Sequence, residues 1–244
     1  MNRSVELSIV MPAYQEAENL SKLLPRLKQA AAGLTADYEI VVVDTAQPRD
    51  ETPQICNQWQ VRHVSRQPSD SYGDAVRFGI STARGRWIVF MDADGSHSPE
   101  MLPQLYQHRE SYDVVIASRY IAGGATENSF LLTLMSRALN VIYSVVLNLD
   151  CHDVSNSYRL YSGALLKAVP LSCANFDVVE EILVGLKRAN KRLRLKEVPF
   201  TFRQRDRGRT KRNLPLFIAT FALTLLRLRF GGRRTPAGSG SVSA

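Results

Sequence analysis

The amino-acid sequence predicts an α/β fold with a mostly parallel central sheet flanked by helices. Over the first 117 residues, short apolar runs alternate with amphipathic stretches. The runs are apolar throughout, as strands buried on both faces are. With 244 residues, 45% hydrophobic and 22% charged, the chain can bury a large core and is not compositionally disordered. One domain over residues 1–230 is expected, in two halves, 1–117 and 118–230. Residues 231–244, rich in Gly, Ser, Arg and Pro, read as a disordered tail.

The elements follow in order. Residues 7–11 form a first strand. Residues 16–32 form a helix with Leu20, Leu23, Leu24 and Leu27 on one face. Residues 40–44 are a second strand and 62–65 a weaker third. Residues 72–82 are helical. Residues 87–91 and 113–117 are strands four and five. Residues 131–149 are a long apolar helix pattern broken by Arg137 and Asn140. A helix at 177–189, a late strand at 194–202 and a basic loop at 203–212 come next. Asn213 can cap a final helix, with Pro215 in its first turn.

The longest uncharged run, residues 214–226, has 13 residues, short of the roughly 20 that a membrane span needs. The first residues lack the apolar stretch of a signal peptide. Three scattered cysteines exclude a disulfide framework or a Cys-rich zinc site and fit a reducing compartment. The net charge of +8 suggests anionic partners. Nucleic acid is not the expected one, because no recognition helix, zinc finger or ribonucleoprotein motif is present.

Ligands of open parallel sheets bind beyond the carboxyl ends of the strands. Pro12, Tyr14 and Glu16 follow strand one, Asp44 closes strand two, Asp92-Ala93-Asp94-Gly95-Ser96-His97 follows strand four, and Arg119 follows strand five. Two carboxylates spaced as Asp92 and Asp94 can hold a hard divalent cation that also touches a diphosphate. The same residues also suit a plain turn. Asp44 can accept from a base or ribose, or cap residues 45–51. Residues 203–212 carry six cations and one acid, either a clamp on phosphates or a solvated loop. His97 reads as a neighbour of the acid pair, not a ligand. Cys151-His152-Asp153 reads as a turn. Glu180 and Glu181 flank the buried stripe of their helix (Val178, Ile182, Leu186) on opposite sides, so one at most can act as a base. Both also suit a helix N-terminus by charge. Residues 214–230 either pack on the domain or lie in a membrane interface.

Together these motifs resemble the family 2 glycosyltransferases of GT-A fold, and within them the dolichol-phosphate mannose synthase-like branch. The resemblance rests on residues 9–19, 41–44, 91–99, 117–120 with Gly123-Gly124, 153–159, and 197–200 with Arg205, Gly208, Thr210 and Lys211. It implies a metal-dependent, inverting transfer of a sugar from a GDP- or UDP-sugar to a polyprenyl phosphate. The enzyme would be cytoplasmic, peripheral at the inner face of the membrane. A hydroxyl acceptor, with Glu180 or Glu181 as base, is the alternative.

By resemblance, residues 1–117 bind the nucleotide sugar and 118–230 the acceptor. Pro12, Tyr14, Glu16 and Asp44 line base and ribose. Asp92, Asp94 and Ser96 bind Mg²⁺ or Mn²⁺. Arg119, Arg137, Arg205 and Lys211 meet the diphosphate or the acceptor phosphate. The chain departs from the family after Asp44, where Thr45-Ala46-Gln47-Pro48 stands. It departs again at residues 69–75, where the family has a Gly-rich loop, and at residues 156–159, where Asn-Ser-Tyr-Arg replaces Ser-Gly-Phe-Arg.

Overall fold

The structure is a computed structural model that describes residues 5–203 and 223–230. The first half contains β1 (Leu7–Pro12), α1 (Ala17–Ala32), β2 (Tyr38–Asp44), α2 (Thr52–Gln58), β3 (Arg62–Ser65), α3 (Tyr72–Thr82), β4 (Trp87–Phe90), α4 (Leu102–Tyr106) and β5 (Val114–Ser118). The second half adds β6 (Ala125–Thr126), α5 (Phe130–Leu147), β7 (Arg159–Ser162), α6 (Gly163–Lys167), α7 (Val178–Ala189), β8 (Leu195–Pro199) and β9 (Thr201–Phe202). Residues 223–230 are helical and seat Leu228 in the core.

Seven strands form one sheet in the order β3-β2-β1-β4-β7-β5-β8. The central strands β1, β4 and β5 are buried on both faces because their successive side chains serve two cores. Leu7, Ile9 and Met11 of β1 join the core under α1 and α4, and Val10 joins the core under α3 and α7. The expected parallel sheet is therefore present, with one exception. β7 runs antiparallel to both β4 and β5. The run Arg159-Leu160-Tyr161-Ser162 is too short and too polar at its ends to announce a strand. The expected late strand divides in two: β8 pairs with β5, and β9 leaves the sheet to pair with β6. The short helices α2, α4 and α6 carry too few turns for a readable period.

The reversed β7 shapes the site. The carboxyl ends of β1, β2, β3, β4, β5 and β8 share one rim, and β7 brings its amino end there, with Arg159 beside Phe90. The chain order turns back between β1 and β4, the switch point where such sheets open a crevice.

Candidate active site

On the β1 side, Pro12 ends its strand, and Tyr14 is half exposed with the Arg49 guanidinium 5.6 Å from its ring centroid. Gln15 has φ 56°, a conformation unusual for a residue with a side chain. The Glu16 carboxylate accepts from Asn19 Nδ2 at 2.6 Å. Arg66, which the sequence reading missed, is buried and donates from Nη2 to the Ala13 carbonyl at 2.8 Å. Its position directly after β3 was the available signal.

Asp44 is only 1% exposed. Its Oδ1 accepts from the Thr45 amide at 2.7 Å, and its Oδ2 lies 3.2 Å from His63 Nε2. The carboxylate thus caps the turn after β2, the second of the two roles its position suggested.

The loop after β4 carries the acid pair. Gly95 takes φ 83°, which needs a residue without Cβ. The buried Asp94 accepts from the Ser96 amide at 3.0 Å and the Ser96 hydroxyl at 2.5 Å, both on Oδ1. Ser96 is fully buried. Its hydroxyl supports Asp94 directly. His97 Nδ1 accepts the Asp92 amide at 2.9 Å, so a neutral ring carries its proton on Nε2. The ring is fully buried and stacks on Tyr158 with centroids 4.8 Å apart. His97 pins the loop and does not ligate through Nδ1. Asp92 receives the Ser157 hydroxyl on Oδ2 at 3.0 Å, and the Tyr72 hydroxyl lies 3.4 Å from Oδ1.

Asp92 and Asp94 are a fitting donor set for Mg²⁺ or Mn²⁺: two hard oxygens that leave further positions to substrate oxygens. Among the described residues no cluster of three or more His, Cys, Asp or Glu forms a closed metal site.

Across the rim, Arg119 is buried and paired. Its Nε and Nη2 grip both oxygens of the buried Asp153 at 2.8 and 2.7 Å, and Nη2 also reaches the Ser155 hydroxyl at 2.9 Å. Burial opposes the charge of Arg119, but its hydrogen bonds to Asp153 together with the negative charge of Asp153 and Asp92 outweigh it and raise its pKa. The Asp153 pair fixes the guanidinium at the rim through Nε and Nη2.

The stretch 151–153, read as a turn, is tied to β8. Glu197 on β8 accepts from the His152 and Asp153 amides, both at 2.9 Å. Tyr120 receives the guanidinium of Arg119 at 4.9 Å and of Arg137 at 5.5 Å from its ring centroid. Arg137, Tyr120, Val141, Val145, Cys151 and His152 line a cavity of about 340 Å³ along α5. Arg205 and Lys211 lie outside the described residues.

The two candidate bases separate. Glu181 accepts from the Ser172 amide at 2.9 Å, the Ser172 hydroxyl at 2.9 Å and the Cys173 amide at 2.8 Å, and so caps a loop. Glu180 is buried, and its Oε2 has no hydrogen-bond partner among the described residues. Burial raises its pKa to about 7, against smaller opposing pulls from a backbone hydrogen bond and from Arg159.

A doubly covered parallel sheet with an acid pair at its switch point is the architecture of the GT-A glycosyltransferases. The Glycosyl transferase family 2 profile matches residues 8–169, and the chain belongs to that family. It is 32% identical over 214 residues to the dolichol-phosphate mannosyltransferase of Pyrococcus furiosus, covering 85% of this chain and 59% of that protein. It is 31% identical over 221 residues to the undecaprenyl-phosphate mannosyltransferase of Micrococcus luteus, covering 83% and 85%. The chain thus spans well under two thirds of the Pyrococcus protein's length. In fold it is similar to glucosyl-3-phosphoglycerate synthase of Mycobacterium tuberculosis, crystallised with Mn²⁺, UDP and glucosyl-3-phosphoglycerate. The TM-score is 0.71 at 20% identity, covering 92% of this chain and 80% of that one.

Proposed function

We propose that this chain transfers a sugar, with inversion, from a nucleotide sugar to a polyprenyl phosphate at a membrane surface. The observation that carries the reading is α5. One stripe of this helix (Asn140, Tyr143, Leu147) is buried on the domain, while Phe130, Leu131, Leu134, Val141 and Val145 are exposed. The helix is long and apolar enough to cross a membrane by length and composition. A helix fixed along one face to a globular domain lies instead in the plane of an interface. The cavity with Arg137 opens beside the same apolar row. That pairing suits an anionic head on a lipid chain. The two relatives named as lipid-phosphate mannosyltransferases support the same acceptor.

In this reading Pro12, Tyr14 and Glu16 line the nucleotide, and Asp92 and Asp94 would hold Mg²⁺ or Mn²⁺. Such a cation would supply positive charge to offset the negative charge that grows on the leaving diphosphate. The acceptor phosphate oxygen attacks the anomeric carbon from the face opposite the breaking C–O bond. That oxygen is anionic at neutral pH, so no base is needed. Engagement of Glu181 and burial of Glu180 favour this acceptor over a hydroxyl. Arg137 meets the acceptor phosphate, aided by Arg205 and Lys211.

The test is incubation with radiolabelled GDP-mannose or UDP-glucose and Mn²⁺, with and without polyprenyl phosphate. Label should enter the organic phase only with the lipid. Label passing only to water-soluble glycan acceptors would overturn the lipid reading.

A further inference from the structure

Arg137 shares its cavity with a histidine. His152 lines the same space beside α5, with Tyr120, Val141 and Val145. It belongs to the turn that leads from α5 toward β7.

The ring is held through one nitrogen. Nδ1 lies 2.7 Å from Glu197 Oε2 on β8. A carboxylate oxygen accepts, so Nδ1 carries the proton of that bond. The same Oε2 takes the His152 amide, and Oε1 takes the Asp153 amide. One carboxylate, its side chain only 9% exposed, thus fixes both the backbone and the ring of His152. The imidazole itself is 70% exposed. Its Nε2 has no hydrogen-bond partner among the described residues. Anchoring through Nδ1 sets the tautomer and leaves Nε2 for a ligand.

The charges around the ring suit an anion. Asp153, the next residue, gives both oxygens to Arg119, so its charge is balanced within the domain. Glu197 commits its oxygens to two amides and the ring. Ser144, also in the cavity wall, gives its hydroxyl to the Leu149 carbonyl. Arg137 lies over the Tyr120 ring and forms no ion pair among the described residues. The Arg137 guanidinium and His152 Nε2 are therefore the side-chain groups this wall offers to a ligand. A phosphate monoester has oxygens for both, and it loses its second proton at about pH 6. A monoanionic head can pass that proton to Nε2. The phosphate O–H bond breaks, an N–H bond forms, and a dianion then faces an imidazolium. Such charge-assisted contacts are the strong ones.

Resting on the lipid-phosphate reading above, we infer that His152 is a second ligand of the acceptor phosphate. Nε2 and the Arg137 guanidinium hold the headgroup together, Glu197 holds the ring, and Val141 and Val145 in the same wall meet the lipid chain.

The experiment measures binding of geranyl phosphate to the full chain by titration calorimetry, with geraniol and inorganic phosphate as controls. Wild type is compared with His152→Ala and His152→Lys. The ring is exposed and the backbone bond to Glu197 survives in both variants, so their melting temperatures should match wild type. His152→Ala should weaken geranyl phosphate about tenfold, the low end for a hydrogen bond to a charged group. His152→Lys keeps a cationic donor and should stay within about threefold of wild type. Geraniol binding should not change in either variant. Wild-type affinity in His152→Ala, an equal loss in His152→Lys, or an equal loss for geraniol would overturn the inference and leave the lipid-phosphate acceptor standing. Wild type that binds geranyl phosphate no better than geraniol, or no better than inorganic phosphate, would overturn the acceptor reading and this inference with it.

Discussion

Asp92 and Asp94 are separated by one residue and meet different surroundings. Asp94 is held by Ser96 within its own loop, and Asp92 by hydroxyls from two distant segments. Asparagine is nearly isosteric with aspartate and can keep the neutral contacts, so Asp92→Asn and Asp94→Asn should leave the melting temperature near wild type. Both should lose turnover by orders of magnitude, because a neutral amide is a poor ligand for a hard cation. Full turnover in excess EDTA would sink the metal dependence. Glu180 makes a separate prediction. Its pKa is about 7 in the folded chain, against an ordinary 4.5. Between those values the folded chain keeps a proton that the unfolded chain releases. Stability from the neutral carboxyl is therefore complete below about pH 4.5 and is lost as pH rises through 7, a fall of at most about 3 kcal/mol. Glu180→Gln should flatten this slope and raise the melting temperature at pH 8 relative to wild type. Parallel melting curves from pH 5 to 8 for the two proteins would rule out a buried, protonated Glu180.

Among the elements, α5 and the basic loop are the ones the proposed function gives to the acceptor. Val141 and Val145 are exposed on α5, on the face turned from its buried stripe. Val141→Glu with Val145→Glu should therefore change folding stability by no more than about 0.5 kcal/mol each. The same pair should abolish flotation with anionic liposomes, since charge on an interfacial apolar face opposes insertion. Flotation equal to wild type would remove α5 from the membrane reading. Residues 203–212 hold six cations and one acid, a density that repels itself without an anion. Arg205→Ala and Lys211→Ala should raise KM for donor or acceptor with little change in melting temperature. A matching drop in stability would instead make the loop structural. The second expected membrane element, residues 214–230, lies in the described region only from 223 onward. There Arg227 Nη2 donates to the Ser172 hydroxyl at 2.8 Å, and Leu228 is buried against the domain.

At the scale of the whole molecule, the +8 charge predicts salt-sensitive association with anionic vesicles. Flotation should be strong at low salt and weaken severalfold by 0.5 M NaCl, with a remainder held by apolar contact. Binding that is absent at low salt would argue for a soluble acceptor. Much of this protein was legible in its sequence. Strands buried on both faces declare themselves as unbroken apolar runs, so β1, β2, β4 and β5 were readable with the Asp92-x-Asp94 pair behind β4. Those signals are local, carried by consecutive side chains and their period. The reversed β7 left no such signal, nor did the grip of Asp153 on Arg119 across 34 positions or the meeting of Ser157 with Asp92 across 65. Sheet register and loop packing choose these partners, and a chain's spacing does not encode which distant segments they bring together. The same holds for the two neighbouring glutamates. The sequence placed both at the start of one helix, and only tertiary packing made Glu181 a loop cap and Glu180 a buried carboxyl with a raised pKa.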